Sequence, residues 1–321
     1  MLSQIFSIDF VISMLRLSTP LLFTAMAAVI GGKANVLCIA YEAMMLCAAL
    51  GGVIGSALTQ SLFLGMIVGI LCGCVIALIF GYFVLYLDAP PLLAGLALNT
   101  FGSGLTVYVV YLVTGMKQDT TKLLSLEFPN LNIPFIKDIP GIGRILSGQN
   151  ILVYLSFVSV LFVWFLFSKT RLGIRIRAVG TNPSAAESVG INVKKTKLIA
   201  LLISGVLASF GGMYLSMGYL PYFTTGMTAG RAFISIAAQN LGQGNPVLTM
   251  LFSLIFGAAM ALGNTAQSFR FPSQFAAMMP YLFTIAGVWI RGLQLTRRNQ
   301  KVLNGTAGRL KLKQIENGGK E

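Results

Sequence analysis

The sequence predicts an all-α, polytopic integral membrane protein with about 8 to 10 transmembrane helices. Of its 321 residues, 56% are hydrophobic and 10% are charged, and the mean hydropathy is +0.81. Ordinary globular chains carry roughly a quarter charged residues. Apolar stretches of about 20 residues, the length that crosses a bilayer, recur along the chain.

The basic residues are concentrated in two patches beside apolar stretches. Of the 23 lysines and arginines, seven lie in residues 169–197 and eight in residues 291–321. Loops rich in lysine and arginine face the cytoplasm in membrane proteins. The net charge of +14 therefore indicates orientation, and no nucleic-acid partner is expected.

The chain has little of the chemistry that an enzyme needs. It contains no histidine, and its four cysteines all lie inside apolar stretches, where packing explains them. We therefore expect no catalytic residue and no metal site. An intramembrane enzyme remains a weak alternative, because paired acidic residues within the spans are also missing.

Eight apolar stretches are candidate transmembrane helices. They are residues 8–30, 35–58, 62–87, 91–115, 150–168, 198–218, 246–263 and 277–290. The sequence predicts one transmembrane domain over residues 1–296 and a basic, disordered cytoplasmic tail over residues 297–321.

Two long connections divide the spans. Residues 116–149 are rich in proline, glycine and mixed charges and are predicted to form an external loop, whereas residues 169–197 form a cytoplasmic loop. Counting back from the external loop through four spans puts the N-terminus outside, unless an early segment is re-entrant, and the N-terminal topology stays open.

A short apolar segment over residues 232–241 is predicted to form a broken helix. Three long spans lie between residues 169–197 and the tail, and an odd number would put the tail outside. The short segment must supply a fourth crossing, separated from the next span by residues 242–246, although as a helix it covers only about 15 Å. Broken helices at membrane depth face protein or water-filled space, where transporters place their pathways.

Polar residues inside the spans are the candidates for a translocation pathway. Residues at intervals of seven share one helix face, and this pattern links Asn35 and Glu42 to Ala49 and Ser56. Glu42 is interpreted either as a pathway or gating carboxylate or as a helix anchor bonded to a backbone or side-chain donor.

A second polar stripe on the fourth span includes Asn99 and Ser103, and Gln239 and Asn240 end the short helix. Amides and hydroxyls of this kind can hydrogen-bond an uncharged polar solute, but they serve equally well to join helices. The predicted pathway residues are Asn35, Glu42, Asn99, Ser103, Gln239 and Asn240.

The spans carry no chain of acidic residues for a proton relay, since only Glu42 lies plainly within one. This argues against an ion-driven secondary carrier, which is kept as an alternative. The chain also lacks the glycine-rich phosphate loop of many nucleotide hydrolases. Any energy from ATP must come through a partner.

The loop over residues 169–197 has the signals of a short helix. Asn182 can cap it, Pro183 suits the first helical position, Glu187 lies near its start and Gly190 can end it. Such a helix with little apolar content indicates a surface that docks a partner, although an ordinary solvated connector fits as well.

Several stretches resemble the permease subunits of ATP-binding-cassette (ABC) importers, in the branch that serves branched-chain amino acids, simple sugars and nucleosides. The most specific stretches lie in the loop: Thr170-Arg171-Leu172-Gly173, Arg177-Ala178-Val179-Gly180, Asn182-Pro183, Ala185-Ala186 and Gly190-Ile191. Further similar stretches are Ala34-Asn35-Val36 with Glu42, residues 96–99, Gly230-Arg231 to Ala238, Gly244-Asn245-Pro246 and Met279-Pro280-Tyr281.

The resemblance is closest to the nucleoside and simple-sugar subgroup, although residues 38–43 replace the usual glycines around the glutamate. It implies inward transport of a nucleoside or simple sugar across the plasma or inner membrane, with a branched-chain amino acid or another small solute as the alternative. It also implies that the loop 169–197 is the coupling loop, in which the residues that contact the ATPase are Asn182, Pro183, Ala185, Ala186, Glu187 and Gly190.

The implied partners are a second permease, identical or homologous, two cytoplasmic ATPase subunits and an external substrate-binding protein. By the same resemblance this chain binds no cofactor itself, and ATP and Mg belong to the ATPase subunits. The C-terminus is expected in the cytoplasm.

Overall fold

A computed structural model of the chain describes residues 8–123, 125–131 and 147–267, together with residues 278, 282, 283, 285, 287 and 289. The helices are α1 Ile8–Lys33, α2 Tyr41–Thr59, α3 Leu62–Leu85, α4 Pro91–Thr114, α5 Ile151–Lys169, α6 Arg171–Thr181, α7 Pro183–Ser188, α8 Val193–Met213, α9 Arg231–Leu241 and α10 Pro246–Gln267. A π-helix, Tyr214–Tyr219, continues α8, and two short strands, β1 Asn130–Leu131 and β2 Gln149–Asn150, pair antiparallel.

Within this described part, seven helices are long and apolar enough to cross a membrane. They are α1 to α5, α8 with its π-helical extension, and α10. The predicted all-α membrane fold is confirmed. The eighth predicted span, residues 277–290, is described at only a few positions, and the predicted tail, residues 297–321, lies outside the described residues.

The helices differ in how much of their surface faces outward. Helices α1 and α2 are buried over most of their length, whereas α3, α4 and α5 expose large apolar side chains such as Phe63, Phe101 and Phe165. In a bilayer these side chains contact lipid, which is as apolar as they are. The core is therefore built around α1 and α2.

Small residues allow α3 to approach its neighbours closely. A Cβ placed on Gly65 would lie 2.6 Å from the Cβ of Ser56 on α2, and one on Gly81 would lie 2.7 Å from Leu198 on α8. At Gly65 the neighbours include backbone atoms of α2, so a larger residue would not fit without moving the helices apart. Gly65 thus sets the distance between α3 and α2, and Gly81 lets α3 approach α8, as small residues do in membrane bundles.

One end of the bundle is formed by the coupling loop and is called here the coupling-loop end. A Cβ on Gly180 of α6 would overlap the carbonyl oxygen of Lys33, the last residue of α1. Lys194, at the start of α8, has its Nζ atom 5.3 Å from the centre of the Tyr86 ring, just after α3. Helices α1 and α3 therefore end where α8 begins, and their directions are opposite to that of α8.

The opposite, distal end carries two non-helical segments that bond to each other. The N–H of Thr120 donates to the carbonyl oxygen of Phe223 at 2.9 Å, and the N–H of Phe223 donates back to the Thr120 hydroxyl at 2.9 Å. The N–H of Ser125 donates to the carbonyl oxygen of Pro221 at 3.0 Å. The first part of the loop 116–149 thus packs on residues 220–225.

The segment predicted to supply the fourth crossing combines a non-helical half with a helical half. Residues 220–230 run from the distal end into the bundle, and α9 continues to the coupling-loop end, where a Cβ on Gly244 would lie 3.4 Å from Lys33 Nζ. With 11 residues, α9 is about 16 Å long, roughly half of the hydrocarbon thickness. The predicted broken helix is confirmed.

The start of α2 differs from the predicted span of residues 35–58. Asn35 takes a left-handed conformation with φ 52°, and the N–H groups of Asn35 and Val36 donate to the carbonyl oxygens of Gly32 and Gly31. This Schellman pattern ends α1. Helix α2 begins six residues later at Tyr41, so the prediction that Asn35 shares a helix face with Glu42 is wrong.

Candidate functional site

The first turn of α9 is held by a carboxylate from another helix. Glu42 of α2 accepts hydrogen bonds from the N–H of Gly230 at 2.8 Å and from the N–H of Ala232 at 3.1 Å. N–H groups at a helix start have no partner within the helix, and this end favours negative charge. Glu42 is only 8% exposed. Its geometry is that of an anchor bonded to backbone donors, one of the two interpretations drawn from the sequence.

An amide from α4 holds the start of α2 in a similar way. The side-chain oxygen of Asn99 accepts from the N–H of Ala43 at 3.0 Å, and its side-chain nitrogen donates to the carbonyl oxygen of Ile39 at 3.0 Å. Asn99 is thus bonded at both ends of its amide. Together with Glu42 it fixes the place where α2 and α9 both begin, which we call the central junction.

Beside the central junction lies a cavity of about 220 Å³. Its walls come from the last turns of α1, the connection between α1 and α2, and the exposed face of α9. The lining residues are Ala28, Gly32, Asn35, Val36, Leu37, Cys38, Tyr41, Ile236, Gln239 and Asn240. Three of the predicted pathway residues, Asn35, Gln239 and Asn240, are brought together here, and we call this space the amide cavity.

Tyr41 links the amide cavity to the core. It precedes Glu42 in the chain, it lines the cavity, and its hydroxyl donates to the carbonyl oxygen of Ala27 at 3.1 Å. Its ring is buried. A rigid aromatic wall beside three amides can hold a neutral polar molecule, because amides both donate and accept hydrogen bonds.

Ser103 lies apart from this arrangement. It is on the exposed face of α4, and its hydroxyl donates to the carbonyl oxygen of Asn99, one turn earlier in the same helix, at 2.9 Å. The structure therefore does not bring Ser103 to the amide cavity. In the described residues no group of three or more His, Cys, Asp or Glu side chains could hold a metal ion.

The coupling loop forms two helices, of which α7 is the short one anticipated from the sequence. Asn182 caps it by accepting from the N–H of Ala185 at 3.1 Å, and Pro183 is its first residue. Gly190, at φ 81°, ends it, with the N–H of Ile191 donating to the carbonyl oxygen of Ala186 at 3.0 Å. The capping residues act as their types predict.

The outer surface of α7 borders an open groove of about 660 Å³. Glu187 and Gly190 line it, together with Tyr86 and Lys194 from the neighbouring helix ends. Ala185 and Glu187 are exposed, but Ala186 is only 3% exposed and points into the protein. In this conformation Ala186 packs between α7 and the rest of the protein. It therefore offers no surface to the expected ATPase, unlike Ala185 and Glu187.

Comparison with known proteins identifies the family. A family profile described as "Branched-chain amino acid transport system / permease component" matches residues 10–288. The chain belongs to this permease family. The match covers the central junction, the amide cavity and the coupling loop, and it confirms the resemblance found in the sequence.

Two curated relatives of the permease share about a third of its residues. It is 32% identical over 286 residues to the nucleoside ABC transporter permease protein NupC of Lactococcus lactis subsp. cremoris, which covers 86% of this chain and 89% of NupC. It is 31% identical over 255 residues to the putative glucose ABC transporter permease protein TsgC13 of Haloferax volcanii, covering 78% and 75% of the two chains.

A solved structure shares the fold of the permease. PsaBC from Streptococcus pneumoniae, in complex with Fab, superposes with a TM-score of 0.52 at 16% identity, over 88% of this chain and 94% of that chain. The likeness is one of architecture. With the family match and the seven apolar helices of the described part, the permease is a multi-pass membrane protein.

Sequence analysis missed several residues that the structure brings to these sites. Leu37 lines the amide cavity, but it lies in a stretch that hydropathy assigned to a span. Val189 is 74% exposed at the tip of the coupling loop, where an apolar side chain gives no charge signal. Gly230 was noted in the sequence only within a stretch similar to the family, because its bond to Glu42 spans 188 positions in the sequence.

Proposed function

We propose that the permease moves a nucleoside or a simple sugar inward across the cell membrane as one of two permease subunits of an ABC importer. Two partner subunits hydrolyse the ATP, and an external binding protein delivers the solute. NupC is named for nucleosides and TsgC13 for glucose. Both kinds of solute are neutral and rich in hydrogen-bonding groups.

The observation that carries this proposal is the chemistry of the amide cavity. Its lining includes the three amides of Asn35, Gln239 and Asn240 and no charged side chain. A zwitterionic amino acid would lose its hydration there without gaining opposite charges, which is costly. A nucleoside or sugar can exchange its bonds with water for bonds with amides. The cavity therefore favours a neutral solute over a branched-chain amino acid.

The position of the cavity supports a second permease subunit. Asn35 and Asn240 are exposed in the described part of the chain, and polar groups within a membrane seldom face lipid. A second subunit that covers this face would turn the open cavity into an enclosed pathway between the two copies.

The coupling loop supports an ATPase partner on the cytoplasmic side. Helix α7 lies beside an open groove and is joined through α6 to the end of α1, so a force on α7 reaches the spans directly. Transport then follows from alternation between two packings of the bundle. The basic residues of the loop support a cytoplasmic position for this end and for the C-terminus.

Uptake by the reconstituted complex tests the proposal. The permease, its ATPase subunits and its binding protein are placed in proteoliposomes, and uptake of labelled nucleosides and sugars is measured with and without ATP. Gln239→Ala removes one hydrogen-bonding group from the amide cavity and is expected to raise the KM for uptake about 2- to 10-fold. Ser103→Ala is the control, because Ser103 lies away from the cavity.

One result would overturn the proposal, and a second would remove the observation that carries it. Uptake that needs no ATP and no ATPase subunit would identify a secondary carrier. Equal KM values for Gln239→Ala and the unaltered chain, with a neutral solute transported, would remove the amide cavity from the pathway.

A further inference from the structure

Residues 220–230, the non-helical half of the fourth crossing, are hydrogen-bonded to the first part of the loop 116–149. We call its residues 116–131 the distal loop. Besides the two bonds between Thr120 and Phe223, the N–H of Phe128 donates to the carbonyl oxygen of Met217 at 2.9 Å. The hydroxyl of Ser125 also donates to the carbonyl oxygen of Pro221 at 3.1 Å. Thr120 is fully buried. A displacement of this loop is therefore transmitted to residues 217–225 through these hydrogen bonds.

The same segment is strained near its end, at Thr228 and Ala229. Ala229 has φ 44°, a left-handed conformation that costs a residue with a Cβ about 1–2 kcal/mol. The buried hydroxyl of Thr228 has no hydrogen-bond partner among the described residues. Strain of this kind persists only where surrounding contacts impose it. Here the contacts include the bonds that Glu42 accepts from the N–H groups of Gly230 and Ala232, together with the turn bond from the N–H of Ala229 to the carbonyl oxygen of Gly226.

The segment continues to the coupling-loop end. Helix α9 leads from the central junction to Gly244, beside Lys33, and the carbonyl oxygen of Lys33 lies against Gly180 of α6. One stretch of chain therefore touches the distal loop at its start and Glu42 at its middle. Beyond its end, Gly244 contacts Lys33 of α1, and Lys33 in turn contacts Gly180 of the coupling loop.

We propose that residues 220–241 act as one transmission element between the distal loop and the coupling loop, with Glu42 as the positioning residue that fixes its midpoint. The inference rests on the proposed function, in which a binding protein docks outside and an ATPase inside. When the distal loop shifts, residues 220–230 move against the Glu42 anchor, and α9 carries the change to Lys33 and α6.

The carboxylate of Glu42 suits this role because it has two equivalent acceptor oxygens for two N–H groups. In Glu42→Gln one oxygen is replaced by an amino group, which cannot accept, so one of the two bonds is lost with little change in volume. Thr120→Val removes the hydroxyl that accepts from Phe223, whereas Thr120→Ser keeps it.

The experiment measures ATP hydrolysis by the complete complex in lipid nanodiscs, with and without the solute-loaded binding protein. Glu42→Gln and Thr120→Val are each expected to lower the ratio of stimulated to basal hydrolysis about fivefold or more, while basal hydrolysis is kept. Thr120→Ser restores the ratio, and the double variant is no worse than either single variant. Ser204→Ala, which removes a buried bond from α8 to Ala27 of α1, leaves the ratio unchanged.

Hydrogen exchange of the full-length chain in the same complex gives a second measurement, which does not depend on transport. Glu42→Gln is expected to speed exchange at residues 118–125 as well as at 220–232. An unchanged stimulation ratio in both variants, or faster exchange confined to 230–232, overturns the inference. Absence of stimulated hydrolysis with the unaltered chain would overturn the proposed function itself. The inference, which rests on that function, would then fall too.

Discussion

A single carboxylate inside the bundle, Glu42, shows how a residue that is costly in a membrane can be stabilised there. Its two side-chain oxygens accept backbone hydrogen bonds at the start of α9, the end of a helix where acceptors are favoured. Each satisfies an N–H group that would otherwise be orphaned inside the protein. The carboxyl group and the helix end satisfy each other, and either would be costly to bury without the other.

Asn99 is expected to act as a helix anchor, and this can be separated from a role in solute binding. Asn99→Ala leaves the N–H of Ala43 and the carbonyl of Ile39 without their partner, at a cost of about 1–3 kcal/mol for each group left unsatisfied. The thermal unfolding midpoint in detergent should fall clearly, and the KM of the remaining folded complex should stay unchanged.

Ser103→Ala provides the matched control for this prediction, one helical turn further along the exposed face of α4. The substitution removes a hydroxyl that bonds only within its own helix among the described contacts. The thermal unfolding midpoint of the variant should therefore match that of the unaltered chain. A raised KM in Asn99→Ala with no loss of stability would assign Asn99 to the pathway instead.

Sequence reasoning identified these residues but could not identify their partners. Glu42 and Asn99 stand out because polar side chains are rare within apolar spans, and rarity alone implies that they face the protein interior. Glu42 bonds to a residue 188 positions away, and Asn99 to one 56 positions away. No local pattern encodes such pairs, since they depend on the packing of whole helices.

At the scale of elements, the spans were predictable and one boundary was not. Helices that face lipid carry apolar side chains along their whole length, so hydropathy locates α3, α4 and α5 well. Residues 36–40 are equally apolar, yet they form the connection before α2 because Asn35 ends α1 and the Asn99 amide fixes a later start. The residues that begin and end α7, Asn182 and Gly190, were predicted correctly because capping depends on the local sequence.

The junction of α6 with α1 is expected to be intolerant of any side chain at Gly180. In Gly180→Ala the new Cβ would overlap the carbonyl oxygen of Lys33, so the two backbones must separate. Overpacking of this kind costs about 1–3 kcal/mol. The variant should unfold at lower temperature and should lose ATP-driven uptake, because α6 no longer bears on α1.

Gly104→Ala is the control for this prediction, because a Cβ at Gly104 meets nothing within 4 Å. It places the same substitution inside helix α4 and should be neutral or slightly stabilising, since alanine favours a helix over glycine by roughly 0.5–1 kcal/mol. Uptake by Gly180→Ala equal to that of Gly104→Ala would show that the contact between α6 and α1 carries no coupling.

At the scale of the whole molecule, the broken crossing decides on which side of the membrane each later segment lies. Helix α8 leads from the coupling-loop end to the distal end, and residues 220–241 lead back. The parity count from the sequence required this return because two basic patches had to share one side. Its unusual form, half of it without helix, depends on the bonds of residues 220–225 to the distal loop, which no parity argument contains.

Thiol labelling in a cysteine-free version of the chain tests this topology. Lys122→Cys, in the distal loop, should react with a membrane-impermeant reagent added to intact cells, whereas Ser184→Cys on α7 and Asn245→Cys after α9 should react only in inside-out vesicles. All three residues are exposed, so failure to react reports the side of the membrane rather than burial. Labelling of Asn245→Cys from the same side as Lys122→Cys would mean that residues 220–241 turn back within the membrane, and the transmission element proposed above would then not reach the coupling loop.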